Sequence, residues 1–273
     1  MTAPARLPAS LTLVGAGKMG GAMLTGWLEA GLDPRATTIL DPAPSEAITA
    51  LCAERGIALN PAEPAPAAVL VLGIKPQGLE AASAALAPLV GPDTLVLSIL
   101  AGKTIADLKA RLPGARAVVR AMPNLPASIG RGATGAVASP EVSADQRAVA
   151  EALLSAAGLT EWLEAEAAID AVTAVSGSGP AYVFLLVEAL AEAGVAAGLA
   201  PDIAGRLARA TVTGAGALLE ASPEEAAQLR RNVTSPGGTT AAALEVLMRA
   251  DGLGGLMREA VAAAKRRAGE LSG

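Results

Sequence analysis

The chain has 273 residues and a formal net charge of −5, and its acidic balance argues against nucleic acid as the main partner. It contains no histidine, which excludes His-based catalytic triads, imidazole acid–base catalysis and the usual zinc sites. Hydrophobic residues make up 52% but aromatic residues only 1%, so the core must consist of Ala, Leu and Val. Since Ala has the highest helix propensity, we expect a helix-rich fold.

The single cysteine, Cys52, excludes a disulfide framework or a Cys-based metal site within one chain. Residues 1–10 carry no long apolar core, so we expect a short frayed tail rather than a signal peptide. No run of about 18 strongly apolar residues predicts a membrane span. The expected protein is soluble and cytoplasmic, with neither a membrane partner nor a metal.

The first predicted element is a strand, Leu11–Val14, that leads into a glycine-rich turn. The turn has the pattern G-x-G-x-x-G and consists of Gly15, Ala16, Gly17, Lys18, Met19 and Gly20. A helical pattern follows and ends at Gly31. In this order the three elements predict a dinucleotide site: Gly15 makes the turn, Gly17 lets the backbone approach a pyrophosphate, and Gly20 permits close helix–strand packing. The alternative is a glycine-rich turn without a ligand.

The second predicted strand, Thr37–Leu40, ends at Asp41. An acidic residue about 20 positions after the glycines typically binds the ribose 2′-OH of NAD. No arginine follows immediately that would receive a 2′-phosphate. Asp41 therefore favours NADH, and the alternative is an ordinary Asp-Pro turn with Pro42.

Residues 45–56 form the next predicted helix, with Ser45 as its cap, and residues 61–66 form a loop. Residues 68–74 are a continuous apolar run, which is typical of a strand buried on both faces. This strand leads into Lys75 and Pro76. A lysine at the carboxyl end of such a strand is expected to point into the ligand crevice, although a solvated loop lysine is an equal alternative.

Further strands and helices alternate along the first half of the chain. We predict strands at residues 94–100, 117–119 and 133–138, the last of the sheet. Thr104 caps a helix that continues to Leu112, and residues 143–158 form another helix. This alternation predicts an α/β Rossmann-like domain over residues 1–164, with a doubly wound, mostly parallel sheet.

After Leu163 the strand-like runs disappear, and residues 165–273 are predicted to form an all-helical domain of about six helices. Many small residues between positions 189 and 198 permit close helix packing, either within the monomer or between subunits. A domain of about 110 residues with so many apolar faces favours a homodimer.

Residues 232–240 form a short polar stretch between two helical patterns. Pro236 stops the preceding helix, and Gly237 and Gly238 let the backbone turn. Thr239 or Thr240 then begins a helix over residues 241–248, which leaves N–H groups and two hydroxyls at a positive helix end. This end predicts a seat for a small carboxylate. The alternative is a helix connector with a good N-cap.

Taken together, the motifs resemble the Δ1-pyrroline-5-carboxylate reductase family. They are the glycine pattern, Ile-Lys-Pro at residues 74–76, Arg-Ala-Met-Pro-Asn at 120–124, Ser-Gly-Ser-Gly-Pro-Ala-Tyr at 176–182 and Ser-Pro-Gly-Gly-Thr-Thr at 235–240. The resemblance covers nearly the whole chain and is most specific in the last two motifs. It implies reduction of a cyclic imine to L-proline with NADH or NADPH, the last step of proline biosynthesis, by a homodimer or an assembly of dimers.

The resemblance also implies roles for individual residues. Besides the glycine turn and Asp41, the cofactor would be bound by Gly73, Ile74, Lys75, Pro76, Ile99, Leu100, Ala101, Asn124 and Asn232. Asn124 and residues 176–180 would border the nicotinamide. The substrate would be bound by Val233, Ser235, Gly238, Thr239, Thr240 and Glu166. The sequence departs from the family pattern at Leu125, where Thr is common, and at Asp41, since NADPH-dependent members often have Ser, Asn or Arg nearby.

Without a histidine, the Thr240 hydroxyl is the candidate catalytic group, because it can form a hydrogen bond with an imine nitrogen that is readily protonated. Tyr182 is interpreted as structural. One alternative is a related two-domain imine reductase or hydroxyacid dehydrogenase, but the latter would carry a catalytic lysine on a C-terminal helix, and the second half has only Lys265. Another is a non-catalytic NAD(P)-sensing dimeric module, against which the intact stretch at residues 235–240 argues.

Overall fold

The computed structural model describes residues 7–272, so the predicted N-terminal tail lies largely outside the described residues. The chain divides into two compact units. The first unit runs to Gly177 and includes the end of the chain from Lys265, and the second unit is Ser178–Ala264. The domain boundary at residues 164/165 stays a prediction, since residues 165–177 group with the sheet by this criterion.

The first unit contains one sheet with the strand order β3-β2-β1-β4-β5-β6-β7-β8 among the described residues. The strands are β1 (Leu11–Val14), β2 (Thr37–Leu40), β3 (Ala58–Leu59), β4 (Val69–Leu72), β5 (Leu95–Ser98), β6 (Ala117–Met122), β7 (Gly132–Ala138) and β8 (Gly158–Trp162). Neighbouring strands are parallel except for β6 and β7. This confirms the predicted doubly wound, mostly parallel sheet, but β7 is not the last strand as predicted.

Helices cover the sheet of the first unit. They are α1 (Lys18–Glu29), α2 (Glu46–Arg55), α3 (Leu79–Leu86), α4 (Ile105–Arg111), α5 (Ala144–Ser155) and α6 (Ile169–Val172), and a π-helix, Thr173–Gly177, follows α6. The predicted caps are confirmed: the Ser45 hydroxyl accepts from the Ile48 N–H, and Thr104 forms a capping box with Asp107. Helix α3 had no counterpart among the predicted elements.

The sheet is buried on both faces, as the continuous apolar strands predicted. On one face Leu11 and Leu13 of β1 pack in a cluster with Trp27 of α1. On the other face Leu70 and Leu72 of β4 belong to a second cluster that includes residues of α3 and α4. The Trp27 indole N–H donates to the Leu153 carbonyl oxygen at 2.7 Å, so the largest buried side chain is also satisfied.

The second unit is helical throughout its described residues. It contains α7 (Gly179–Ala196), α8 (Pro201–Ala221), α9 (Ala226–Asn232), α10 (Thr239–Leu247) and the first part of α11 (Leu253–Ser272), whose end from Lys265 belongs to the first unit. With α6, these make six α-helices in residues 165–272, as predicted. The fold class of a Rossmann-like domain followed by an all-helical region is thereby confirmed.

Helix α7 exposes apolar side chains around its circumference. Four consecutive residues, Val183, Phe184, Leu185 and Leu186, are 45–62% exposed. By length and composition the helical stretch Glu166–Ala196 could cross a membrane. This differs from the prediction that no run is apolar enough to span one. A helix that is apolar all round is normally buried in a larger structure.

Candidate functional site

The glycine turn joins the carboxyl ends of β1, β2 and β4. Gly15 has a φ of +88°, and a Cβ there would lie 2.8–2.9 Å from backbone atoms of Gly73 and Ile74. The Gly15 N–H donates to the Leu40 carbonyl at 2.8 Å, and the Gly73 N–H donates to the Val14 carbonyl at 2.8 Å. Only glycine fits at position 15, because both the φ and the close strand approach exclude a side chain.

The next two glycines of the pattern have different surroundings. A Cβ at Gly17, the N-cap of α1, would meet nothing within 4 Å, so the backbone is open to a ligand at this point. A Cβ at Gly20 would lie 2.2 Å from the Gly15 carbonyl oxygen, which shows close packing of α1 on the turn. The first N–H groups of a helix have no partner within the helix and attract anions. These features fit a pyrophosphate group.

Asp41 is fixed at the end of β2 by backbone donors. Its Oδ2 accepts from the Ala16 N–H at 2.8 Å and its Oδ1 accepts from the Ala43 N–H at 2.9 Å. The Asn60 side chain forms two hydrogen bonds with the Asp41 backbone. The Asn60 Oδ1 accepts from the Asp41 N–H at 2.9 Å, and the Asn60 Nδ2 donates to the Asp41 carbonyl at 2.7 Å. Asn60 was not among the predicted site residues. The Asn-Pro pair it forms with Pro61 is a turn signal that could have identified it from the sequence, and in the structure its φ is 47°.

A cavity of about 920 Å³ opens at these strand ends. It brings together six of the predicted cofactor residues, namely Gly15, Gly17, Asp41, Gly73, Ile74 and Lys75. Asn60, Pro64 and small residues of α3, including Ala81, Ala82 and Ala85, complete its lining. Lys75 is exposed and immediately precedes the short 3-10 helix Pro76–Gly78. The predicted ligand crevice is therefore present at the reversal of strand order, where α/β sheets bind their ligands.

A second cavity, of about 610 Å³, lies between α1 and α2. Ala16, Lys18 and Asp41 are among its lining residues, whereas Met19 is partly buried against the core. Asp41 lines both cavities.

The remaining predicted cofactor residues of the first unit do not line the 920 Å³ cavity. After β5, Leu100 is buried and Ala101 is exposed, and the Ile99 N–H donates to the Leu72 carbonyl at 3.1 Å. Asn124 is buried and holds two protein groups: its Oδ1 accepts from the Ala133 N–H at 2.9 Å and its Nδ2 donates to the Ser176 carbonyl at 3.2 Å. The Asn124 amide thus ties the start of β7 to the π-helix.

Glu166 forms an ion pair that the sequence analysis did not predict. Its Oε1 lies 2.8 Å from Nη1 of Arg120 and also accepts from the Ile105 N–H at 2.8 Å. The Arg120 side chain is only 4% exposed, and that of Glu166 is 30% exposed. Arg120 was noted only as part of a motif, because its burial in β6 and its partner 46 residues away are tertiary features.

The predicted carboxylate seat lies in the second unit and has a defined turn. The Gly238 N–H donates to the Ser235 carbonyl at 3.1 Å, and Gly237 has a φ of +68°. Helix α10 begins at Thr239, as predicted; its N-cap is Gly238, and no side chain caps it. The carboxylate seat and the plain helix connector both stay predictions. Thr239 is exposed and Thr240 is half-buried.

The other predicted residues of this stretch are near the end of α9. Val233 is 64% exposed, while the Asn232 amide lies between Glu224 and Gln228. Its Nδ2 donates to Glu224 Oε2 at 2.9 Å, and its Oδ1 accepts from Gln228 Nε2 at 2.7 Å. The ligand role of Asn232 stays a prediction.

Two family descriptions match this chain. The family described as pyrroline-5-carboxylate reductase dimerisation matches residues 166–271. The family described as NADP oxidoreductase coenzyme F420-dependent matches residues 10–102, which contain the glycine turn and Asp41. The two matches fall on the sheet part and the helical part of the chain, respectively.

Individual relatives are similar along nearly the whole chain. A pyrroline-5-carboxylate reductase of Pseudomonas aeruginosa is 43% identical over 265 residues, which cover 96% of each chain. A solved structure of a pyrroline-5-carboxylate reductase from Coxiella burnetii has a TM-score of 0.90 at 35% identity and covers 97% of this chain and 99% of its own. The structure of a Plasmodium falciparum pyrroline carboxylate reductase with NADP bound shares the fold, with a TM-score of 0.78 at 24% identity and coverage of 97% and 98%.

Proposed function

The chain belongs to the pyrroline-5-carboxylate reductase family, and we infer that it reduces the cyclic imine Δ1-pyrroline-5-carboxylate to L-proline with NADH or NADPH, the last step of proline biosynthesis. The observation that carries this inference is similarity over both parts of the chain. A hydroxyacid dehydrogenase or an NAD(P)-sensing module would share the Rossmann-like part, but neither accounts for the match of the helical part to this family. The enzyme is therefore an oxidoreductase acting on a C=N bond.

The residues at the glycine turn fit the cofactor. The open backbone at Gly17 and the first N–H groups of α1 bind the pyrophosphate. The cavity beyond Asp41, with the small alanines of α3, accepts the adenosine half. When bound, the reduced nicotinamide supplies the hydride, while the protein supplies position and electrostatics.

Asp41 makes NADH the preferred coenzyme. Its carboxylate is held in place by two backbone N–H groups and accepts a hydrogen bond from the ribose 2′-OH. A 2′-phosphate would bring negative charge beside this carboxylate. Among residues 7–272, Lys75 is the only basic residue that lines the 920 Å³ cavity and Lys18 the only one that lines the smaller cavity. Within this described part of the chain, neither cavity has an arginine to receive the phosphate.

The substrate carboxylate binds at the start of α10. The N–H groups of Thr239, Thr240 and Ala241 precede the first helical hydrogen bond, which runs from the Ala242 N–H to the Gly238 carbonyl. The Thr240 hydroxyl donates to the imine nitrogen when that nitrogen is neutral and accepts from it once it is protonated. Ser235 and Val233 border this seat. Glu166 stays a predicted substrate residue, although its carboxylate already pairs with Arg120.

The helical region supports assembly of the chain with copies of itself. The match to a dimerisation family indicates a homo-oligomer, and the exposed apolar circumference of α7 supports a homodimer or an assembly of dimers. Residues 1–164 bind the cofactor and residues 165–273 bind the substrate and form the dimer. The family match that begins at residue 166 supports this division. The free, buried thiol of Cys52 agrees with a cytoplasmic location.

Loss of the absorbance of reduced nicotinamide tests the function. Purified protein should oxidise NADH or NADPH when Δ1-pyrroline-5-carboxylate is added, and proline should accumulate in equal amount. The same preparation should not oxidise either coenzyme with 2-keto acids or without substrate. Activity on 2-keto acids alone would replace the proposal with a hydroxyacid dehydrogenase, and binding of coenzyme without turnover would replace it with a sensing module.

A further inference from the structure

The loop that follows β5 begins at the carboxyl edge of the sheet, one strand away from the glycine turn and Gly73. We refer to its residues 99–104 as the β5 loop. The N–H of Ile99, its first residue, donates to the Leu72 carbonyl of β4 at 3.1 Å. In the strand order, β4 and β5 lie on one side of β1 and β2 lies on the other. A dinucleotide spans the crevice of such a sheet, so with the adenosine half beside β2 the nicotinamide half extends toward β5.

The last turn of α11 packs against the β5 loop within the first unit. Gly102 has a φ of +70°, and a Cβ there would lie 2.6 Å from the Leu271 carbonyl oxygen and 3.1 Å from the carbonyl carbon. Both atoms belong to the backbone, so they cannot move aside as the end of a flexible side chain can. The end of α11 from Lys265 groups with the sheet, and Ala268 in it is buried. The helix can approach the loop this closely only because residue 102 is glycine.

The rest of the first unit fixes the β5 loop before and after Gly102. Leu100 is buried in the cluster that includes residues of α3 and α4. The N–H of Ile105, the first residue of α4, donates to Glu166 Oε1 at 2.8 Å. Between these two points, Ala101 is exposed. The contact with α11 therefore falls on the part of the loop that is least held by its own neighbours along the chain.

We propose that the last turn of α11 is a positioning element that holds the β5 loop against the nicotinamide half of the coenzyme. This proposal rests on the coenzyme binding of the proposed function. Gly102 and the Leu271 backbone are the positioning residues, and they act through the loop rather than on the substrate. A displaced loop weakens binding of the nicotinamide half and misaligns its hydride. The adenosine half binds beside β2, so its affinity does not depend on α11.

Gly102→Ala tests the contact, and Gly56→Ala is its matched control. Gly56 follows α2 with a φ of +72°, but a Cβ there would meet nothing within 4 Å. The two substitutions therefore cause similar backbone strain, and only Gly102→Ala pushes against α11. In calorimetric titrations, Gly102→Ala should raise the Kd for NADH by about fivefold or more and change the Kd for ADP-ribose, which lacks nicotinamide, by less than about twofold. Gly56→Ala should change neither Kd.

A second pair of variants changes the α11 side of the contact, and it decides the matter even if Gly102→Ala does not fold. A chain that ends after Gly269 lacks the Leu271 carbonyl and should show the same selective loss of NADH affinity. Leu271→Ala keeps both the carbonyl and the Cβ and should bind NADH as the natural chain does. Adding Gly102→Ala to the shortened chain should weaken NADH binding by less than about twofold more, because the colliding carbonyl is gone.

Equal losses of affinity for NADH and ADP-ribose would overturn the proposal, because they indicate a general disturbance of the unit. Unchanged NADH affinity in both Gly102→Ala and the shortened chain would overturn it as well. Imine reduction is measured on the same samples, and in Gly102→Ala kcat should fall by about tenfold while KM for the imine stays within about twofold. A natural chain that binds NADH without reducing the imine would refute the proposed function alone, since the binding comparison still applies. A natural chain that does not bind NADH would refute both.

Discussion

Asp41 is the residue at which coenzyme choice can be tested most directly, because substitutions can remove its negative charge and keep part of its hydrogen bonding. The informative substitutions are Asp41→Asn and Asp41→Ser. Asparagine keeps one acceptor oxygen for the Ala16 or Ala43 N–H and removes the negative charge. Serine removes the charge and is also too short to maintain both backbone contacts.

The size of the effect follows from two contributions. A hydrogen bond from the ribose hydroxyl to a charged acceptor is worth about 1.5–3 kcal/mol, which favours NADH. Repulsion of a 2′-phosphate at about 4 Å would reach about 4 kcal/mol per unit charge near a protein surface, and water at the open cavity reduces it. Since Asp41 is half-buried, we take about 2–3 kcal/mol in total, or a change of about 30- to 150-fold in the ratio of kcat/KM for NADH to that for NADPH.

Initial rates with both coenzymes at saturating imine give this ratio. The natural enzyme should prefer NADH, and Asp41→Asn should show most of the shift toward NADPH. Asp41→Ser should show the same shift with lower kcat/KM for both coenzymes, because the glycine turn loses a contact. If the ratio stays the same in both variants, Asp41 is a turn residue only and the argument from its charge is wrong.

Three further predictions concern the substrate seat, the buried ion pair and a helix cap. Thr240→Val should lower kcat/KM for the imine by about tenfold or more and leave the affinity for the coenzyme unchanged. Thr240→Ser, which keeps a hydroxyl, should retain most of the natural kcat/KM. Equal rates in the natural protein and both variants would remove the hydroxyl from the mechanism. Glu166→Leu should lower the free energy of unfolding, measured in urea, by about 3–5 kcal/mol, and by more than Arg120→Met does. The reason is that it leaves the charge of Arg120, the more deeply buried partner, unpaired. A larger loss in Arg120→Met would contradict this. For Asp107, burial raises the pKa, but hydrogen bonds from Thr104 together with the positive charges of Lys103 and Arg111 outweigh burial and lower the pKa. The stabilisation by Asp107 is therefore present above about pH 4 and disappears as the pH falls further. The loss of unfolding free energy caused by Asp107→Asn, measured in urea at several pH values, should therefore become smaller as the pH falls below about 4. A loss that does not depend on pH would show that the charge of Asp107 does not stabilise the fold.

Much of the sheet could be predicted because buried parallel strands are short, continuous apolar runs that end at turn residues. The bounds of β1 and β2 agree with the prediction for this reason, since Gly15 and Asp41 stop them. The strands β3 and β8 were missed for opposite reasons. β3 has only two residues, and β8 at the sheet edge has two consecutive polar residues, Thr160 and Glu161, between Leu159 and Trp162, so it is neither a continuous apolar run nor a strict alternation.

The candidate site was predictable where a local motif determines geometry and unpredictable where tertiary packing does. The roles of Gly15 and Gly20 follow from their spacing, and the structure shows the close approaches that they permit. The Arg120–Glu166 pair and the Asn60 clamp on Asp41 join residues that are 46 and 19 positions apart. Only the sheet order brings these partners together, and spacing along the chain does not indicate it.

The long apolar stretch Glu166–Ala196 is explained better by a second copy than by lipid. Acidic residues occur at its beginning and again at Glu188 and Glu192, which are exposed on α7. Within it, the backbone changes from a π-helix to an α-helix before Pro180, and irregular backbone at membrane depth is tolerated only where protein or water surrounds it. A subunit contact can bury the apolar residues and leave the carboxylates at its polar rim. An assembly of identical chains therefore buries the apolar side chains around α7 and keeps its carboxylates in contact with water.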